Sequence, residues 1–97
     1  MLIKDLKEPG RIIAPDESKK LKSGLVVLRP GESVGSHTTA DREEIIIVLE
    51  GEATVEDEGA TRLVIRDQLA YIAPERRHNV RNASSETLRY LYIVTPV

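Results

Sequence analysis

Turn-forming residues punctuate this chain at short, fairly even intervals, and that spacing limits the possible folds more than any other feature. They fall at Pro9-Gly10, Pro15-Asp16, Pro30-Gly31, Glu50-Gly51, Asp57-Glu58-Gly59, Ala73-Pro74 and Asn82-Ala83-Ser84-Ser85. Each site supplies a positive φ, a preset φ or a side-chain-to-backbone turn bond. The intervening segments are rich in Val, Ile, Leu, Thr and Tyr. They read as strands near Arg11–Ala14, Lys20–Arg29, Ser33–Thr39, Glu43–Glu50, Ala53–Glu56, Thr61–Ile65, Gln68–Ala73, His78–Asn82 and Thr87–Thr95. No stretch keeps a 3.6-residue apolar period. Many short strands so spaced predict an all-β sandwich or barrel.

A chain of 97 residues has room for one domain, spanning 1–97, with a thin core. Its apolar side chains are mostly aliphatic, with three Tyr and neither Phe nor Trp, which suits pleated strands. Fourteen basic and sixteen acidic residues are interspersed, so the basic stripe that nucleic acids require is missing and no nucleic-acid partner is expected. Cysteine is absent, which excludes disulfides and thiolate metal sites. The first ten residues lack the apolar stretch of a secretion signal, and the longest purely apolar run, Ile45–Leu49, is far too short to span a bilayer. A cytoplasmic protein without a membrane partner is the expectation.

The run Ile45-Ile46-Ile47-Val48-Leu49 does not alternate with polar residues. Three consecutive isoleucines disfavour helix, and Gly51 ends the run too early for one. As a strand it should be buried on both faces, which asks for cover from outside the barrel, most simply a second subunit.

The residues that carry chemistry begin after the Pro30-Gly31 turn. His37 and Thr39 share one face of a strand because side chains alternate with period two. A hairpin through residues 40–43 would return Glu44 to face them, and parity with Ile46 and Val48 points Glu44 inward. Further on, His78, Val80 and Asn82 share a face. The spacings are Gly31-x5-His37-x-Thr39-x4-Glu44-x6-Gly51 and, later, His78-x3-Asn82. Together they resemble the two motifs of the cupins, G-x5-H-x-H-x3–4-E-x6-G and G-x5-P-x-G-x2-H-x3-N, over more than half the chain. The departures are Thr39 for the second His of the first motif, and Asp67, Ala73 and Glu75 for the Gly, Pro and Gly of the second.

The resemblance implies a double-stranded β-helix, or jelly-roll barrel, with a divalent transition metal held inside by His37, Glu44 and His78. Two imidazoles and a carboxylate with open positions suit Fe, Mn, Ni or Zn. Affinity should fall as pH drops through about 6, where imidazole protonates. Thr39, a poor ligand itself, is expected to contact a bound water or ligand. Arg76 shares parity with His78 and is expected near the barrel mouth, where it could hold an anionic ligand. Asn82 is expected to close its strand as a turn residue, and parity does not choose among Tyr71, Tyr90 and Tyr92 for a cavity role. The resemblance also implies a homodimer and a small-molecule ligand. Three functions stay open: a metal-dependent dioxygenase, isomerase or lyase; a non-catalytic small-molecule-binding or sensor barrel; and a barrel whose metal site has degenerated, kept for partner binding.

Overall fold

The computed structural model describes residues 1–97 and is built from β-strands alone. In chain order they are β1 (Gly10–Ile13), β2 (Lys22–Leu28), β3 (His37–Thr38), β4 (Arg42–Glu50), β5 (Glu52–Asp57), β6 (Ala60–Ile65), β7 (Leu69–Ile72), β8 (Arg77–Arg81) and β9 (Leu88–Pro96). The turns at 15–16, 30–31, 73–74 and 82–85 fall between consecutive strands, and those at 50–51 and 57–59 begin on the last residue of one, as their composition predicts. Two sheets form, in the orders β1-β2-β9-β4-β7 and β3-β8-β5-β6, with antiparallel pairing throughout. This is the expected jelly roll. No helix is long and apolar enough to cross a membrane.

Between the sheets lies a core of ten buried residues, among them Ile46 and Val48 from β4, Val55 from β5, Val80 from β8 and Leu88 from β9. Ile46 and Val48 have no exposed surface, which is worth about 1.5–3 kcal/mol for each relative to exposure. The inward parity of β4 therefore holds, and it carries Glu44 to the same inner face two residues earlier.

Two expectations are corrected. The strand predicted over Ser33–Thr39 shrinks to His37–Thr38, preceded by a lone bridge between Ser33 and Arg81. Gly35 interrupts it at φ 105°, and its N–H is held by the Asn79 side chain at 2.9 Å rather than by a strand partner. Nor do β3 and β4 form a hairpin, because they belong to opposite sheets. Residues 39–41 form a corner between layers, with Ala40 at φ 52°.

The outward face of β4 is half-buried within one chain, not fully buried. Ile45 and Ile47 pair across to Tyr71 and Leu69, which are 52% and 60% exposed.

Candidate metal centre

His37 and His78 are direct partners in the β3–β8 ladder, so their imidazoles rise side by side from one sheet, with ring centroids 4.2 Å apart and planes tilted by 55°. Glu44 meets them from the opposite sheet. The three sequence-predicted ligands converge, and their donor atoms all lie within 4.8 Å of one another.

Backbone carbonyls settle how the imidazoles present themselves. Nδ1 of His37 lies 2.8 Å from the Gly35 carbonyl, and Nδ1 of His78 lies 3.3 Å from the Arg76 carbonyl. A carbonyl can only accept, so each Nδ1 carries the proton and each neutral ring turns its Nε2 lone pair outward. On His78 that lone pair is enclosed: its side chain is fully buried, and Nε2 is the one wholly buried side-chain polar atom without a hydrogen-bond partner. The nearest charge is Glu44 Oε1 at 3.4 Å, itself an acceptor. A lone pair facing a carboxylate calls for a cation between them, either a proton or a metal ion.

The proton alternative follows from the surroundings of His78. The facing Glu44 carboxylate, which would accept its second proton, raises the imidazole above its ordinary pKa, while burial opposes the shift and the Arg76 carbonyl adds to it. The donor set equally fits a divalent metal. Bonds of about 2.0–2.2 Å to a shared ion separate ligand atoms by roughly 3–4 Å, close to the spacing present. Carbonyl acceptors behind both rings supply the outer support that orients imidazole ligands. His37, Glu44 and His78 are the residues that would hold the ion.

The site opens into a chamber of about 430 Å³ whose walls include Val26, Val34, Val80 and Val94, with Asp41 and Arg42 among its lining residues. Tyr90 and Tyr92 line it from β9. Tyr92 packs on its cross-strand partner Gly24, where any Cβ would sit 2.6 Å from the ring, so β2 needs glycine there. Sequence parity did not separate these tyrosines from Tyr71, which faces outward and donates to Glu43 at 2.7 Å. Register does: Tyr90 and Tyr92 pair with Val48 and Ile46 on the inner face. Gly24 and Arg42 are the site residues that sequence reasoning did not single out, and for Tyr90 and Tyr92 it left the choice open.

Thr39 also lines the chamber, but its hydroxyl donates to the Ala73 carbonyl at 2.7 Å and accepts the Arg76 N–H at 3.0 Å, bracing the corner between sheets. Arg76 does not line the chamber. It precedes β8, where Asp57 is the ladder partner of His78, and its guanidinium turns to Asp57 at 2.9 Å. Arg42 is the arginine in the chamber lining. Asn82 closes β8 as expected: its amide donates to the carbonyls of Leu28 and Glu86, and its oxygen accepts the Ser84 N–H.

Comparison with known proteins agrees with this fold. TT1209 from Thermus thermophilus superposes with a TM-score of 0.84 at 27% identity, over 99% of this chain and 98% of its own. BF4112, a cupin protein from Bacteroides fragilis, gives 0.85 at 19% identity, over 99% and 84%. The polyketide synthase CurC of Streptomyces cyaneus is 34% identical over 76% of this chain, which spans about half (48%) of that relative's length. The family model of the cupin domain matches residues 24–94, a stretch that contains every residue of the triad and the chamber wall. The chain belongs to the cupin family.

Proposed function

We propose that this protein holds a divalent transition metal, Fe, Mn, Ni or Zn, on His37, Glu44 and His78. In this reading it binds a small oxygen-bearing molecule in the chamber beside the ion and works as a homodimer. The observation that carries the reading is the enclosed, partnerless Nε2 of His78 facing the carboxylate of Glu44, which with His37 lines an open chamber. A bound metal would supply Lewis acidity toward a chelating carbonyl or enol oxygen. The protein would contribute the rest: two imidazoles fixed in one tautomer, a carboxylate from the opposing layer, and valine walls that keep water away from the apolar part of the ligand.

Enzymatic turnover of a polyoxygenated carbonyl compound, by dioxygenation, isomerisation or lysis, suits this arrangement, and the similarity to a polyketide synthase component points to the same ligand class. Binding without turnover is the second reading. It is favoured by the chamber lining, where Asp41, an exposed residue, is the one carboxylate outside the triad and no further imidazole is present.

Elemental analysis of protein purified without added metal, beside His37→Ala and His78→Ala, tests the centre. Near-stoichiometric metal in the wild type and at least tenfold less in either variant is expected. Equal, negligible content in all three would refute it. Turnover assays with small diketones, flavonols and sugar phosphates under Fe(II), Mn(II), Ni(II) and Zn(II) then separate enzyme from binding module.

A further inference from the structure

Tyr90 is 3% exposed, and a phenol so deeply placed ordinarily finds a hydrogen-bond partner within the protein. This one has none, in contrast to Tyr71 with its bond to Glu43. The only fully enclosed side-chain polar atom lacking a partner is His78 Nε2, so the Tyr90 hydroxyl reaches the chamber that its ring lines. A phenol carries its proton at neutral pH and is therefore a donor. Glu44 influences it through charge and not through a hydrogen bond, which leaves the donor free.

We infer that the Tyr90 hydroxyl is a ligand-contacting group, donating a hydrogen bond to an oxygen of the small molecule that occupies the chamber. The inference rests on the reading of His37, Glu44 and His78 as a metal centre and adds a second point of attachment to it. Two contacts define the ligand's chemistry: oxygens that chelate the ion, and an acceptor oxygen that meets the phenol, on a body otherwise apolar enough for the valine walls. Catechols and β-dicarbonyl enols have this layout. A ligand bearing only N–H donors would gain nothing from Tyr90.

The test compares Co(II)-loaded wild type with Tyr90→Phe, using 4-nitrocatechol, whose absorption shifts when its oxygens bind a metal. Tyr71→Phe, on the outer face, is the control. Cobalt content and thermal midpoint of Tyr90→Phe should match the wild type, because the hydroxyl has no protein partner to lose. Its affinity for 4-nitrocatechol should be about tenfold weaker, the loss of one hydrogen bond to a charged or metal-polarised oxygen. Unchanged affinity in a metal-loaded Tyr90→Phe overturns the inference and leaves the metal centre standing. Loss of cobalt or a marked fall in midpoint also overturns it, by making the hydroxyl structural. A wild type that takes up no cobalt removes both.

Discussion

At the scale of single residues, the site is governed by what His78 can share with Glu44. In the metal-free protein the imidazolium form is favoured by the facing carboxylate, so the folded pKa lies above that of the unfolded chain. The stability this pair contributes is fully present below the unfolded value, about 6.5, and is lost as pH rises through the raised folded value. Metal binding has the opposite slope, since it requires neutral imidazole. Thermal midpoints measured with chelator between about pH 5.5 and 8.5 should decline with pH, and the increment from added Zn(II) should grow over the same window. Glu44→Gln should flatten the chelator series. A slope unaltered by that substitution would place its origin elsewhere. All three candidate ligands could be read from the sequence, because their spacings match the cupin motifs and parity turns Glu44 inward. Arg76 could not, because its partner Asp57 is supplied by a strand whose register no local pattern reveals.

At the scale of strands and turns, two positions that the cupin motif gives to glycine carry side chains here. Asp67 and Glu75 stand where the second motif ordinarily has glycine, and both keep a left-handed conformation, at φ 68° and 59°. For a residue with a Cβ this costs about 1–2 kcal/mol, partly offset by the chain entropy that glycine would lose. The Glu75 N–H bonds the Ala40 carbonyl at 2.8 Å, and Ala40 is itself left-handed at φ 52°, so the second motif's turn is fastened to the corner between sheets. Glu75→Gly should raise stability by about 0.5–1 kcal/mol, or roughly 4 °C in thermal midpoint. A lower midpoint would mean that the Glu75 side chain contributes more than its backbone strain costs. Strand positions were legible because turn chemistry is local. The shortening of β3 was not, since Gly35 is satisfied by the Asn79 side chain 44 residues away.

For the whole molecule, the outward face of the five-stranded sheet is the unfinished part. Ile45, Ile47, Leu91 and Ile93 form its centre, with exposed Leu69 and Tyr71 beside them on β7. The proposed homodimer would cover this face, and removing such surface from water is the main driving force of association. Sedimentation equilibrium should give twice the chain mass for the wild type and a shift toward single chains for Leu69→Lys. Monomeric wild type at micromolar concentration would refute association. Turn spacing made the all-β class readable from the sequence. The assignment of each strand to a layer was not readable, because pairings such as β2 with β9 join segments some 65 residues apart.

The imidazoles ride on one layer and the carboxylate on the other. An ion gripped from both sides would pin the two walls together, and any breathing that parts them would loosen the grip. Cargo at the mouth and rigidity of the shell become two readings of a single gap.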